Sequence, residues 1–341
     1  MANLNYSRRL QNLQDRKFDR ELNESLISKS FSSKDIPDNV KYLVESMRPI
    51  DQKYDARTYD AAARVQKHLE SGFDLHFKRA YENQGSVMTK TNIKVHSDFD
   101  LLTIVEGYYY SENPDPANSY IRSNPNDDII ELRQQALKIL KNIYDEVDDK
   151  GEKSISIFNK SLNRKVDIVF CFWFHSDKYK ETNNKFYKGV YLFKFPTKIK
   201  KKDFPFATIT NVNNKGDRTE DGSRRGIRLL KNLKADSDPK IKLSSFQLTS
   251  IVHAIDDNLI NYSAGEELKI AQAISGELQM LINDGFYRKR IKSPNGLENP
   301  LENEGVVSEL RKLKVDLDAL IEDSAREILS SSIIKKAILT Y

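Results

Sequence analysis

Gln84-Gly85-Ser86-Val87-Met88-Thr89-Lys90-Thr91-Asn92-Ile93-Lys94-Val95-His96-Ser97-Asp98-Phe99-Asp100-Leu101-Leu102 is the stretch that decides the fold. Its end alternates acid and apolar residues. On a strand, Asp98 and Asp100 share one face, while Phe99 and Leu101 share the other and point into a core. Gly85-Ser86 reads as a turn upstream of that strand, where backbone and hydroxyl can come close to phosphates. Far downstream a single acid interrupts an apolar run, Val166-Asp167-Ile168-Val169-Phe170-Cys171-Phe172-Trp173-Phe174. An ionised carboxylate among such residues is costly unless it is hydrogen-bonded, paired or metal-bound. Three acids of this kind on two adjacent strands can hold two divalent cations.

The chain carries its own controls for the Asp-x-Asp pattern. Asp316-Leu317-Asp318 lies in a helical pattern, where i and i+2 face different ways and cannot chelate together. Asp236-Ser237-Asp238 lies in a polar stretch and reads as a turn or cap. Only Asp98/Asp100 combines a strand, an upstream Gly-Ser and a distant acid in an apolar run. The plainer alternative for Asp167 is a core acid bonded to backbone or to an arginine such as Arg164. The histidines offer no competing chemistry. His68, His76, His175 and His253 are scattered without zinc spacing, and His96 has the wrong donor for Mg²⁺, which prefers oxygen. Neither GxxxxGK[ST] nor GxGxxG occurs, so a P-loop and a dinucleotide-binding fold are not supported.

Bulk composition sets the frame. The 341 residues are 38% apolar and 31% charged, enough for a sizeable core in two lobes. The apolar runs are too short to span a bilayer, and the N-terminus lacks a signal-peptide stretch. The single cysteine, Cys171, excludes an internal disulfide and reads as a small packing residue. Together these features predict a cytoplasmic protein. A net charge of +5 would attract triphosphates but is weak support for binding long nucleic acid. The clusters Lys198–Lys202 and Arg288–Arg290 read as solvated surface.

Periodicity predicts helices through the first quarter, with Leu10, Leu13, Leu22 and Leu26, then Val40, Leu43, Val44 and Met47, and a third helix from about Arg57 to Leu69. A strand is expected from Asp98 to Val105, ending near Gly107, with a loop from Tyr108 to Asn126 and an amphipathic helix over Ile129–Tyr144. Strands follow at Ser154–Phe158, Lys165–Phe174 and Val190–Phe195. Asn211 to Arg225 reads as a polar loop, and helices follow near Arg224–Lys234, Ser245–Leu259, Glu266–Asp284 and Glu304–Leu329. The expected architecture is α+β: a mixed sheet with flanking helices over residues 1–205, then a helical C-terminal lobe over 206–341, with the ligand site in the cleft between.

The segment Gln84-Gly85-Ser86-Val87-Met88-Thr89-Lys90-Thr91-Asn92-Ile93, followed by Asp98-Phe99-Asp100-Leu101 and a third Asp on a later strand, resembles the polymerase-β-like nucleotidyltransferases. More narrowly it is similar to the bacterial cGAS/DncV-like nucleotidyltransferases (CD-NTases) of CBASS anti-phage defence. Pro49-Ile50-Asp51, Tyr54-Asp55 and Tyr59 also resemble the approach to the N-terminal helix of these enzymes. Arg225-Gly226-Ile227-Arg228-Leu229-Leu230-Lys231-Asn232-Leu233-Lys234, then Leu243-Ser244-Ser245-Phe246, resembles the family's helix with a phosphate-reaching lysine. The resemblance implies that Lys231 and Ser245 contact the triphosphate and that Phe246 stacks on a base. A solvated helix face for Lys231 and simple lobe packing for Phe246 stay open. The zinc insertion of animal DNA sensors in this superfamily is missing, so activation by double-stranded DNA is not expected.

The same resemblance implies Mg²⁺-dependent condensation of NTPs into a cyclic oligonucleotide second messenger, a cyclic dinucleotide such as c-di-GMP or another purine or mixed product. Asp98, Asp100 and Asp167 would hold two Mg²⁺ ions, with Mn²⁺ as a substitute, and Gln84, Gly85 and Ser86 would hold the nucleotide. The expected enzyme is a monomer that needs no membrane and no long nucleic acid, and its product reaches a separate cyclic-nucleotide effector. The alternatives are a linear oligonucleotide synthase, a transferase modifying tRNA or protein, and a catalytically idle nucleotide- or RNA-binding module.

Overall fold

The computed structural model describes residues 4–18, 36–95, 99–113 and 123–330. The chain forms two compact units, one of Asp51–Thr89 and His96–Thr210, the other of Met1–Ile50, Lys90–Val95 and Asn211–Tyr341. The expected division at 205 differs from this in two ways. The helices Tyr6–Lys17 and Asp38–Met47 pack with the C-terminal helices, and the short segment Lys90–Val95 belongs to the same unit. The physical reason lies in Tyr42, Leu43 and Met47, whose apolar partners are Leu229, Leu230 and Leu233 rather than the sheet.

The first unit is built on a seven-stranded mixed sheet among the described residues. Its elements in chain order begin with α3 (Gln52–Gly72), β1 (Arg79–Gly85), β2 (Phe99–Ser111) and α4 (Pro125–Ile143). Next come β3 (Glu146–Asp148), β4 (Ser154–Asn159), β5 (Arg164–His175), α5 (Asp177–Thr182), β6 (Lys188–Lys194) and β7 (Ile199–Asp203). β5 is the centre. It runs parallel to β2 along one edge, and along the other it pairs antiparallel first with β4 and then with β6. β1 borders β2, β3 borders β4, and β7 borders β6.

Strand alternation gives the sheet two different faces. Phe99, Leu101 and Val105 of β2 and Val166, Ile168, Phe170 and Phe172 of β5 form one face. They pack against Ala61, Val65 and Leu69 of α3 and Ile129, Leu132, Ala136 and Leu140 of α4. The opposite face carries a smaller apolar strip of Leu102, Ile104, Cys171, Trp173, Val190 and Leu192, which clusters with Phe206 of the helix Pro205–Arg218. α4 starts as the sequence directs, with Pro125 at its first position and the Asn124 side chain accepting from the Asn126 amide.

The second unit is helical. It holds α1 (Tyr6–Lys17), α2 (Asp38–Met47), α7 (Gly222–Asp236), α8 (Ser245–Ala254), α9 (Asp257–Ile260), α10 (Glu267–Asn283), α11 (Gly285–Arg290) and α12 (Val306–Ser330). The division falls within α6 (Pro205–Arg218). α7 is its axis, with Ile227, Leu229, Leu230 and Leu233 buried among residues of α2, α8, α10 and α12. Leu22 and Leu26 lie outside the described residues.

Three expected elements differ. β2 does not end near Gly107 but continues to Ser111, because Gly107 at φ +93° absorbs a register shift that another residue would resist. Tyr108 and Tyr110 then pack edge-on against Phe172. Lys198–Lys202 is not plain solvated surface: Ile199–Asp203 is a strand, with the Lys202 amine 4.0 Å from the Phe174 ring centroid. Asn211–Arg225 is helical apart from a turn at Thr219–Asp221, rather than a loop. Its poor helix formers are overridden by tertiary contacts, since Lys215 Nζ donates to Ile255 O at 2.6 Å and the Arg224 guanidinium lies over Gly216, where a Cβ would collide with it.

Among the described residues, no helix is long and apolar enough to cross a membrane.

Candidate active site

Asp100 and Asp167 are direct register partners across the parallel pair β2·β5. Register partners point to the same face, so both carboxylates project from the face opposite α3 and α4. The row extends both ways. Gln84 of β1 is the partner of Asp100, and Ser156 of β4 is the partner of Asp167. Four polar side chains, Gln84, Asp100, Asp167 and Ser156, thus cross the sheet in one line at the edge of an apolar strip. Asp98 falls outside the described residues.

Asp167 is only partly covered, with its side chain 15% exposed. Ser156 Oγ donates to its Oδ1, and Lys165 Nζ lies 3.3 Å from its Oδ2. Arg164, the core partner considered for it, sits on the opposite face. Its guanidinium is fully buried and donates to Asn163 O at 2.7 Å and Thr58 Oγ1 at 3.2 Å. Ser156 was not singled out from sequence. Ser154-Ile155-Ser156-Ile157 alternates cleanly, and that pattern is the signal that places its hydroxyl on the acid-bearing face.

Adjacent strands lie about 4.8 Å apart, so two carboxylates in register repel unless cations intervene. Lys165 supplies one. The remaining donors in the row, carboxylate, hydroxyl and amide oxygen, are hard oxygen ligands, the set that suits Mg²⁺ or Mn²⁺. A different group, His76, Asp128 and Glu131, also brings three potential ligand atoms within 4.8 Å of one another. Asp128 there already accepts from Tyr108 Oη at 2.5 Å and Ser123 Oγ at 2.6 Å, in the first turns of α4. Those bonds give it a structural role.

Gly85 closes β1 at φ +112°, a conformation that side-chain-bearing residues avoid. Ser86 follows in the turn, and the Met88 amide donates back to Gly85 O at 3.2 Å. Gln84 Nε2 lies 3.4 Å from Asp203 Oδ2 at the end of β7, a partner the sequence did not indicate.

The remaining candidates belong to the helical unit. Lys231 is buried on α7, and its amine donates to Thr91 O at 2.9 Å and to Thr91 Oγ1 at 3.2 Å. Burial first, then the positive charges of Arg228 and Lys234, pull its pKa down to about 7. A solvated helix face is therefore ruled out for it. Ser245 is exposed in the first turn of α8, directly after Ser244, which forms a reciprocal capping box with Gln247. Phe246 is half-buried beside it.

No protein-family profile matches the sequence. The chain is 31% identical over 328 residues to a c-di-GMP synthase of Capnocytophaga granulosa, covering 87% of this chain and 91% of the relative. It is 30% identical over 295 residues to the cyclic dinucleotide synthase CdnE of Yersinia aleksiciae, covering 85% and 77%. Among solved structures, a STING-associated CdnE c-di-GMP synthase from Flavobacteriaceae sp. aligns with a TM-score of 0.81 at 25% identity, over 96% of this chain and 100% of that one. With two acids in register beside a Gly-Ser turn, and with relatives of this identity and coverage, the chain belongs to the bacterial CD-NTases of CBASS anti-phage defence, among the CdnE cyclic dinucleotide synthases.

Proposed function

We propose that this protein condenses two nucleoside triphosphates, GTP first among them, into a cyclic dinucleotide, c-di-GMP. The observation that carries the reading is the register pairing of Asp100 with Asp167, flanked by Gln84 and the Gly85-Ser86 turn. The base assignment rests on relatives that are c-di-GMP synthases.

In each round a ribose hydroxyl oxygen attacks an α-phosphorus, the bond to pyrophosphate breaks, and the hydroxyl proton passes to solvent. Two rounds release two pyrophosphates. Asp98, Asp100 and Asp167 would hold two Mg²⁺ ions, or Mn²⁺ in their place, which supply charge for the leaving pyrophosphate and acidify the acceptor hydroxyl. Gly85 opens the backbone for close approach, and the Ser86 hydroxyl with the turn amides receives the triphosphate. Ser156 and Lys165 hold Asp167 in orientation. Lys231 adds a positive group whose charged neighbours Arg228 and Lys234 are cations and whose amine is bonded to the neutral oxygens of Thr91, so an anionic phosphate is its natural complement. Phe246 offers a ring face that accepts any base, which suits an intermediate that turns over between rounds. The rate comes from positioning and charge, since the protein has little covalent work to do. Acting as a cytoplasmic monomer, the enzyme would signal to a separate effector only through its product.

The test is incubation with GTP alone, ATP alone and all four NTPs with Mg²⁺ or Mn²⁺, then phosphatase treatment and mass spectrometry. A phosphatase-resistant cyclic dinucleotide is expected, and it should vanish in Asp100→Asn and Asp167→Asn. A product that phosphatase shortens would identify a linear synthase instead. Unchanged product from the two variants would remove the site.

A further inference from the structure

Between the Gly85-Ser86 turn and the acidic strand β2 runs the segment Lys90–Val95, which packs as part of the helical unit. Two cations one turn apart on α7 grip its first two carbonyls. Arg228 Nη1 donates to Lys90 O at 2.6 Å, and Lys231 Nζ donates to Thr91 O at 2.9 Å. Thr91, Asn92 and Val95 are buried, and the Val95 amide donates to Arg16 O of α1 at 2.8 Å. Lys90 itself sits at φ +55°, a left-handed conformation that costs a side-chain-bearing residue and persists only where its surroundings impose it.

Arg228 is the centre of this arrangement. Its side chain is 1% exposed, and its other two bonds go to Met47 O at the end of α2 and to Asp221 Oδ2, both at 2.6 Å. A buried guanidinium is expensive, and one carboxylate would satisfy it at the surface of the helix. Here two of its three bonds are spent on backbone carbonyls of separate segments. That is the use for which a rigid planar fork is suited and a flexible lysine is not.

We propose that Arg228 is a positioning residue for nucleotidyl transfer, fixing the path of Lys90–Val95 and through it the backbone that joins the Gly85-Ser86 turn to β2. The inference rests on the synthase reading above. The acids and the turn must be held to a fraction of an ångström, because a misplacement of about 1 Å can cost on the order of a hundredfold in rate. Arg228 acts through the backbone it holds and touches no reacting atom.

The experiment compares full-length wild type, Arg228→Met, Arg228→Lys and Asp221→Asn by steady-state kinetics with GTP, thermal unfolding and peptide-level hydrogen exchange. Arg228→Met is expected to lower kcat by roughly ten- to a hundredfold while KM changes less, with faster exchange in residues 86–95. Arg228→Lys, which keeps charge but not the fork, should fall between. Asp221→Asn removes the negative charge paired with Arg228 without touching the segment, and should lower thermal stability with kcat unchanged. If Arg228→Met fails to fold, Arg228→Lys carries the same comparison. Wild-type kcat in a folded Arg228 variant, or exchange in 86–95 that does not change, would overturn the proposal. A wild type that makes no cyclic product would overturn the synthase reading instead, and hydrogen exchange would still report on the segment.

Discussion

Asp167 and Lys231 face opposite electrostatic problems. Asp167 is a partly covered acid beside a second acid, and its environment offers a hydroxyl and one amine. Removing that hydroxyl in Ser156→Ala should lower turnover by roughly tenfold, equivalent to one hydrogen bond to a charged group, with the fold retained. Pyrophosphate release and circular dichroism would check this, and an undiminished rate would mean that Ser156 does not orient Asp167. Lys231 is a covered amine among cations, and its pKa falls from an ordinary 10.5 to about 7. The sign follows from proton counting. Between pH 7 and 10.5 the unfolded chain keeps a proton that the folded chain has released, so stability rises with pH across that window and levels off below it. Lys17, lowered to about 8 by burial, adds the same sign above its own value. Thermal unfolding between pH 7 and 9 should therefore show an upward slope that is shallower in Lys231→Met. If Lys231 receives phosphate, GTP binding must restore its proton, and KM should worsen as pH rises from 7 to 9. Equal slopes in the two proteins would refute the shift.

At the scale of elements, the site depends on where strands stop and turn. β1 delivers Gln84 into the row and then breaks at Gly85, whose φ of +112° lets the next residues swing away from the sheet. Gly85→Ala should cost about 1–3 kcal/mol from backbone strain and misplace the Ser86 hydroxyl, so that urea midpoint and turnover fall together. A stable, fully active Gly85→Ala would show that the turn does not need its left-handed geometry. β5 has a different dependence. It is bonded on both edges along its length, by β2 on one side and by β4 then β6 on the other, so Asp167 stands on backbone that cannot shift without breaking two ladders. Rigid elements hold a charged constellation better than loops do.

For the whole molecule, the strongest expected linkage is between nucleotide, metal and stability. Ligands that bind only the folded state raise its stability in proportion to the logarithm of their concentration over Kd, about 2.7 kcal/mol at a hundredfold excess. GTP with Mg²⁺ should raise the unfolding temperature of wild type, EDTA should reverse much of the shift, and Asp167→Asn should show little of it. A full shift with EDTA present would separate nucleotide binding from the acids. The sequence alone determined that Asp100 lies on a strand, that Gly85-Ser86 forms a turn, and that Asp167 is out of place in its apolar run. Each of those follows from local chemistry: alternation, positive φ, and the cost of a covered charge. It also placed the helices of the C-terminal half, whose apolar periodicity is long and regular. Only the tertiary structure decided that Asp100 and Asp167 are register partners, because pairing between strands more than sixty residues apart depends on both faces being buried at once. The same holds for the helix over Asn211–Arg218, for α1 and α2 joining the C-terminal helices, and for Arg228 gripping Lys90 and Met47. A residue's own neighbours in the chain carry no trace of partners that folding brings from elsewhere, and hydrogen bonds to backbone carbonyls leave no mark on the residue type that accepts them.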